Sequence, residues 1–464
     1  MEKLHFIGIG GIGMSGLAAM AETLGYDVTG SDRGSGRPEN RRIFSALEAR
    51  GIRIYPQDGS FVRNGRPDYL VYSTAIEEDN PDFAAGNGIP RLHRSVVLEK
   101  LMTSLKGKTT VAVTGSCGKS TVTAYLAEAL VNLGADPMCL NGALSKRFRS
   151  PGFAGNFRPG QGKYFVFEAD ESDKSLLNYR VDYCIVLNIG TDHYSKEELA
   201  EVFGRFLGNT RRGAVLSQEV YEAVKPFIPA GLPVAVFSSE PGEGRPFALE
   251  RYISENGTFR AVFSGGDAVT LPVPGRHAAP NALAVSALLE MLGFEHGAAL
   301  RALERFDGLF RRTDLAGRTA SGALVYDDYA HNPEKIVSCI GTMRELSSGR
   351  VFAVFQPHGF GPWGFMREEL FRCLEKTLRP EDRFLLLEPY YAGGTTSFKP
   401  TSKEVAADWR SRAGHPEKYL DFGGREELSG WLEKNAQKED IVVVMGARDN
   451  SLSDFAVSLT HCGK

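Results

Sequence analysis

Two short apolar runs, LHFIGIGG from Leu4 and TVAVTGSCGKST from Thr110, each end in glycines and lead into a helix-patterned stretch. A strand that turns through glycine into a helix makes a βαβ unit. Two such units commit a chain to mostly parallel α/β sheets, with ligand crevices at the carboxyl ends of the strands. The remaining pattern agrees with that class. The first unit is expected to continue with a helix over Met14–Leu24 and strands at Asp27–Asp32, Arg53–Tyr55 and Tyr69–Ser73. The second predicts strands at Thr109–Thr114, Tyr164–Phe167 and Asp182–Asn188 and a helix over Ser120–Leu133. Residues 208–273 alternate short β runs with Pro and Gly turns and predict a small antiparallel subregion. Past Phe306 the α/β pattern restarts, with β runs at Ala323–Asp327, Arg350–Phe355, Arg383–Leu387 and Asp440–Met445. At roughly 150 residues per domain, 464 residues correspond to about three domains, expected at 1–106, 107–310 and 311–464.

Composition removes several partner classes. Lys plus Arg number 54 against 57 Asp plus Glu, a formal charge of −3, so neither a nucleic acid backbone nor an anionic membrane is expected as partner. No apolar run reaches the ~18 residues of a spanning helix, so no membrane insertion is expected, and the first residues lack the pattern of a signal peptide. Six cysteines lie far apart without CxxC spacing, which fits neither a zinc site nor a disulfide framework. A reducing cytoplasm is the expected location. Glycine is enriched, 52 residues or roughly 11% against the usual ~7%, as tight strand-to-helix turns require.

In the first turn Gly8, Gly10 and Gly13 fit G-x-G-x-x-G, and Asp32 follows 19 residues after Gly13 at the end of the next strand. Glycines let the backbone approach a pyrophosphate at a helix N-terminus, and the acid suits ribose hydroxyls. The pattern accommodates NAD as well as another nucleotide diphosphate such as a UDP-sugar. The second turn, Gly115, Ser116, Cys117, Gly118, Lys119, Ser120 and Thr121, is a phosphate loop two residues shorter between its glycines than the standard form. Its amides can wrap a phosphate, Lys119 can neutralise the β and γ positions, and the Ser120 hydroxyl can ligate Mg²⁺. Glu168, Asp170, Glu171 and Asp173 follow a strand in FEADESDKS, and Asp192 and His193 follow another. Carboxylates at strand ends suit a hard cation, Mg²⁺ or Mn²⁺, which marks Glu168 as a metal candidate, with His193 beside it as a metal or phosphate contact. Two nucleotide-type turns are one more than a simple dehydrogenase needs; they suit ATP-driven modification of a nucleotide-carried substrate.

These residues resemble the Mur ligases, ATP-dependent, ADP-forming, amide-bond ligases of peptidoglycan synthesis. The resemblance runs through HFIGIGGIGMSGLA, GSD ending at Asp32, STAI from Ser73, GSCGKST, EADESD, PGRHAAPNALA from Pro274, FDGLFRR from Phe306, DDYAHNP from Asp327, FQPH from Phe355 and MGARD from Met445. It is strongest to the members that join L-alanine to UDP-N-acetylmuramate. It implies an N-terminal Rossmann-like UDP-binding domain, a central ATPase-type α/β domain and a C-terminal Rossmann-like domain for a small amino acid. Gly10, Gly11, Ile12, Gly13, Asp32 and Ser73 would then line the UDP site. Gly115 to Thr121 would hold ATP, with Ser120, Glu168 and His193 serving metal, His277 and Asn281 by the base, and Arg312, Asp327 and His331 closing over the reaction centre.

The chain departs from those members at Ser116, Cys117, Ala330, Asn332, Gly359 and Gly394, and at Gly359 a guanidinium is missing beside QPH. Gly359 to Trp363 is therefore expected as a rigid, aromatic, uncharged loop bounding a small acceptor pocket, with Arg448 supplying the lost charge. Two other readings are a ligase that adds a peptide or a different amine and a catalytically silent binding protein.

Overall fold

A computed structural model describes residues 2–190, 194–242, 246–255, 257–391 and 397–460. Three sheets carry the α/β pattern. The first orders its strands Arg53–Tyr55, Asp27–Ser31, Lys3–Ile7, Tyr69–Tyr72 and Arg91–His93, all parallel. The chain reverses direction across the sheet between Lys3–Ile7 and Tyr69–Tyr72, so the first glycine turn and Ser73 leave neighbouring strands at the same edge, where α/β sheets open a crevice.

The central sheet has ten strands. Its middle runs Val181–Val186, Thr109–Thr114, Tyr164–Glu168 in parallel register, flanked by Thr210–Ser217 on one side and Met138–Leu140 on the other. These strands are buried on both faces and read as near-continuous runs of Val, Ile, Phe and Ala, as a helix-covered parallel sheet demands. Residues 208–273 do not form a separate subregion: the neighbouring strands Thr258–Phe263 and Ala268–Leu271, joined by a short hairpin connection, keep the expected antiparallel character at the edge of the central sheet, while the strands before them do not. Thr210–Ser217, Val234–Ser238 and Phe247–Glu255 each add in parallel to the same sheet, because helices Gln218–Val224 and Ala278–Met291 cover its apolar faces and make one continuous core cheaper than two.

The third sheet orders Asp314–Arg318, Leu324–Asp328, Ile441–Met445, Val351–Phe355, Arg383–Leu387 and Tyr419–Phe422; only the first strand is antiparallel. Its two faces bury separate clusters, one around Trp363, Trp409 and Phe384 and one around Phe352, Val442 and Leu428.

The chain divides into two compact units, Met1–Ile253 with Arg260–Pro272 and His277–Leu309, and Ser254–Phe259 with Val273–Arg276 and Phe310–Lys464. The first and central sheets share the first unit and one apolar core. Helix Ile12–Thr23 docks there through small residues. A Cβ on Gly16 would meet Leu140 at 2.9 Å and Asn156 at 3.2 Å, and Asn156 Nδ2 donates to the Ile12 carbonyl and to Ser15 Oγ. No described helix is long and apolar enough to cross a membrane. Among the described residues five cysteines are free.

Candidate functional site

In the first unit the first glycine turn is closed by its own aspartate. Gly8 adopts φ +73° and donates to the Ser31 carbonyl, while Asp32 accepts from the amides of Gly10 at 2.8 Å and Gly34 at 2.7 Å. Gly10 has no room for a side chain: a Cβ would stand 2.7 Å from the Phe44 ring and 2.9 Å from Asp32. Asp32 is thus first a brace for the turn, with lone pairs left for a ligand hydroxyl. Gly11 is exposed, and Ile12 and Gly13 open helix Ile12–Thr23 with their amides toward the crevice edge. Ser73 begins a turn whose Ile76 side chain lies against Gly8.

The phosphate loop follows strand Thr109–Thr114 and precedes helix Lys119–Asn132. Gly115 (φ +135°) and Gly118 (φ +85°) hold backbone conformations that side chains rarely adopt, and a Cβ on Gly115 would press on Leu187 at 3.0 Å. Two residues that the sequence reading did not single out fix the loop. Asn188 accepts from the Cys117 amide at 2.8 Å through Oδ1 and donates to the Cys117 carbonyl at 3.0 Å through Nδ2. Asn141 donates to the Ser120 carbonyl at 3.1 Å. Ser116 Oγ accepts from the Gly190 amide at 2.7 Å. Both asparagines follow strand ends, the one positional signal in the sequence that could have found them.

Lys119 Nζ donates to the Gly115 carbonyl at 2.9 Å and pairs with Glu171 at 2.8 Å. Burial works against its charge, yet Glu171, Glu168 and Asp170 overcome that and raise its pKa. Glu171 is buried, and burial raises its pKa even against the lysine. Glu168, at the end of the adjacent strand, accepts from the Gly142 amide at 2.8 Å, and a Cβ on Gly142 would collide with its carboxylate at 2.5 Å. Asn281, in the first turn of helix Ala278–Met291, stands against the loop, its Oδ1 3.4 Å from where a Cβ of Gly118 would be. Thr121 continues the helix behind the loop, and His277 is exposed just before Ala278. Asp192 and His193 fall outside the described residues, as does Gly394.

This arrangement concentrates negative side chains around one lysine. Such a site accepts a polyphosphate only together with a cation, and among the described residues no group of three or more His, Cys, Asp or Glu side chains forms a metal cage. Ser120, in the first turn of the helix after the loop, and Glu168, at a strand end, both carry oxygen donors, the type a hard divalent ion takes.

In the second unit, Arg311 (φ +58°) and Thr313 (φ +48°) are both left-handed, so the turn between them is strained and sets Arg312 over the Tyr329 ring at 5.1 Å. Arg311, not singled out from sequence, is the pin. It donates to the carbonyls of Gly446 at 2.7 Å and Ala447 at 3.3 Å and pairs with Asp327 at 3.4 Å. Asp327 is buried, also accepts from Ser453, and has its pKa raised by burial. Both its oxygens are thus engaged inside the unit. His331 Nδ1 donates to the Tyr329 carbonyl at 2.9 Å, and burial depresses its pKa to about 4, so the ring is neutral at pH 7 and Nε2 is an acceptor. The His358 ring meets it edge-on at 5.4 Å, and burial followed by Arg448 lowers that pKa too. Ala330 is buried and donates its amide to Asp328, and Asn332 caps helix Pro333–Leu346 by accepting from the Lys335 amide at 3.0 Å.

The expected aromatic loop is instead a helix. Gly359 (φ +145°) precedes helix Phe360–Thr377, and Trp363 is fully buried against Phe355 and Trp409. Trp363 therefore belongs to the core rather than to a pocket wall, because in the first turn of the helix its side chain turns back onto the sheet. Arg448 is exposed after strand Ile441–Met445.

Three family models match: Mur ligase family, catalytic domain over residues 3–105, Mur ligase middle domain over 113–289, and Mur ligase, glutamate ligase domain over 311–448. Curated relatives include the UDP-N-acetylmuramate--L-alanine ligases of Agathobacter rectalis (32% identical, 96% of this chain and 95% of that one) and Chelativorans sp. (32%, 99% and 98%). Among solved structures, UDP-N-acetylmuramate-alanine ligase from Thermotoga maritima superposes with a TM-score of 0.80 at 26% identity, covering 99% of this chain and 98% of that one. A murein peptide ligase from Psychrobacter arcticus shares the fold at a TM-score of 0.68 and 21% identity, over 100% of both chains.

Proposed function

The chain belongs to the Mur ligase family, and on that premise we propose that it uses ATP to join L-alanine, or a similarly small amino acid, to the carboxylate of UDP-N-acetylmuramate in peptidoglycan precursor synthesis, releasing ADP and phosphate. The observation that carries this reading is the phosphate loop with Lys119 set among strand-end carboxylates beside a second, glycine-turn crevice in the same unit. Residues 1–106 are assigned to the UDP substrate, 107–310 to ATP and 311–464 to the amino acid.

A carboxylate is a poor electrophile, so the γ-phosphoryl group of ATP is first transferred to it, giving an acyl phosphate. The amine then attacks the acyl carbon, and phosphate leaves from the tetrahedral intermediate. Transfer needs positioning and neutralised charge more than covalent help. The loop amides and Lys119 would hold the β- and γ-phosphates. Ser120, Glu168 and His193 would hold Mg²⁺ (or Mn²⁺), which when bound neutralises phosphate charge. Asn281 and His277 would lie toward the base.

Gly10 to Gly13, Asp32 and Ser73 would line the UDP site. In the third domain the neutral His331, with Nε2 as acceptor, suits a hydrogen bond from the incoming amine, and Arg312 would add positive charge for the transferring phosphoryl. Asp327 would act through Arg311 by fixing the strained turn that carries Arg312. ATP and a nucleotide-linked sugar are cytoplasmic metabolites, which supports a cytoplasmic enzyme.

The deciding assay is ADP release with UDP-N-acetylmuramate across a panel of amino acids and short peptides. Release dependent on L-alanine, glycine or L-serine supports the assignment. Dependence on a tripeptide alone replaces the acceptor, and no acceptor-dependent release makes the chain a silent binding protein.

A further inference from the structure

His5 stands in the middle of strand Lys3–Ile7 and is fully buried, a polar residue of the run HFIGIGG to which the reaction gives no part. It shares its sheet face with Ile7, which packs with Val62, Leu70 and Phe83, whereas Leu4 and Phe6 pack on the opposite face with helix Ile12–Thr23. Its Nδ1 meets the Thr29 hydroxyl of the neighbouring strand at 3.0 Å, and its ring stacks on Phe61 at 4.9 Å. Nε2 stands 3.9 Å from Asp82, too far for a hydrogen bond. Asp82, in the first turn of helix Pro81–Ala85, is itself only 1% exposed. One of its oxygens accepts from Ser31 Oγ and the other from the Gly59 amide at 2.8 Å. Burial opposes its charge, but His5, Ser31 and the Gly59 amide together outweigh burial and hold the carboxyl below its ordinary range.

This carboxylate fastens the first glycine turn from behind. Ser31, whose hydroxyl it holds, gives its carbonyl to the amides of Gly8 at 2.8 Å and Ile9 at 3.1 Å, and the next residue is Asp32, which braces Gly10 and Gly34. Asp82 also ends the segment that leads on from Ser73, whose Ile76 side chain lies against Gly8, and Asn80 Oδ1 accepts from the Asp82 amide at 3.0 Å. One side chain thus joins the two strand-end segments that bound the crevice. A buried carboxylate beside a histidine stabilises a fold no better than well-packed apolar residues of the same volume, so core packing does not account for it. Directional bonds, in contrast, fix Ser31 where apolar contact would let it slide. We propose that Asp82, with His5 beside it, is a positioning residue for the nucleotide crevice: it sets the first glycine turn against the Ser73 segment without touching the ligand. This rests on the reading of the first glycine turn as the UDP site.

The test is calorimetry on the full chain with UDP-N-acetylmuramate, UDP and the non-hydrolysable ATP analogue AMP-PNP with Mg²⁺, alongside the urea midpoint of every variant. Asp82→Asn keeps the size and removes the charge. It should weaken UDP-N-acetylmuramate and UDP alike by roughly ten- to hundredfold, the size of a hydrogen bond to a charged group, and leave AMP-PNP within about twofold. Ser31→Ala removes the link to the turn and leaves Asp82 its bond to Gly59, and His5→Phe keeps a ring to stack on Phe61; both should weaken the two UDP ligands in the same direction. In ADP release by Asp82→Asn, the KM for UDP-N-acetylmuramate should rise while kcat stays within about twofold. Val62→Ala, in the same apolar cluster, is the control: its urea midpoint should fall while affinity for UDP stays within about twofold.

Unchanged affinity for UDP in Asp82→Asn or in Ser31→Ala would overturn the assignment, and if Asp82→Asn does not fold, Ser31→Ala decides alone. A loss in Val62→Ala equal to that in Asp82→Asn would reduce the network to core packing, and an equal loss of AMP-PNP would make the effect global; either overturns it. Unchanged affinity in His5→Phe would strike the histidine from the network. Wild-type chain that binds AMP-PNP but neither UDP nor UDP-N-acetylmuramate would instead bring down the reading of the first turn, and the inference with it.

Discussion

Glu128 lies on the helix that begins with Lys119, its side chain fully buried, and it is predicted to make the stability of the first unit fall with rising pH. Burial is the main cause that lifts its pKa from 4.5 to about 7, against the pull of the Asp307 amide, which donates to Oε2 at 2.9 Å, and of Ser145, which donates to Oε1 at 3.0 Å. The Asp307 carboxylate adds to the rise, and Arg147, at 4.0 Å, opposes it. A folded-state value above the unfolded one means that the folded chain binds the proton more tightly. The contribution to stability is therefore complete below pH 4.5 and is lost as pH climbs through about 7. At about 1.4 kcal/mol per unit, the full loss amounts to about 3 kcal/mol.

Glu128→Gln has the shape of the protonated acid, with an amide to donate to Ser145 and an oxygen for the Asp307 amide. It should match the wild type within about 1 kcal/mol at pH 5 and exceed it by about 3 kcal/mol at pH 8.5. In urea unfolding followed by fluorescence, with an m-value of about 2 kcal/mol/M, that is a midpoint shift of roughly 1 to 1.5 M, appearing only at the higher pH. A variant no more stable than wild type at pH 8.5, or equally stabilised at both, would refute the claim that a buried ionised carboxylate is being carried.

Lys119→Ala should lower turnover by on the order of a hundredfold or more, since Lys119 is the cationic side chain of the loop, while leaving UDP-N-acetylmuramate binding measurable by calorimetry. Glu168→Gln should raise the Mg²⁺ concentration needed for half-maximal ADP release, and Gly142→Ala, whose Cβ would displace the same carboxylate, should do likewise with the fold intact by circular dichroism. An unchanged Mg²⁺ requirement in both would remove Glu168 from the metal site. Trp363→Ala should cost about 3–5 kcal/mol in thermal or urea unfolding as a core truncation, with the order of preferred acceptors unchanged; a broadened acceptor range at unchanged stability would return Trp363 to a pocket wall.

The two glycine turns were legible from residues alone because a strand–glycine–helix junction is a local event. Gly8, Gly115 and Gly118 need conformations that only glycine adopts freely, and the order of strand, turn and helix follows from short-range pattern. Four of the six strands of the third sheet were readable for the same reason, and the edge strands Asp314–Arg318 and Tyr419–Phe422 were not. What surrounds the turns was not, since it comes from residues far apart in the chain that meet only when sheets assemble. Asn188 reaches Cys117, Gly142 leaves room for Glu168, Arg94 spans from Gly13 to Asp170, and Arg311 rather than Arg312 pins the turn next to Asp327.

The two misplaced expectations have the same origin. The strands after residue 208 carry no mark of which neighbour they pair with, and register across a large sheet is decided by the helices that cover it. Trp363 was read as part of a rigid loop bounding the acceptor pocket, whereas a helix that starts at Phe360 sends the side chain at 363 inward onto Phe355 and Trp409. Sequence by itself determined where the backbone could approach a phosphate, because that is a property of a few adjacent residues. Only the tertiary structure decided which charges stand there, because the energy of a buried ion depends on partners that the chain brings from tens of residues away.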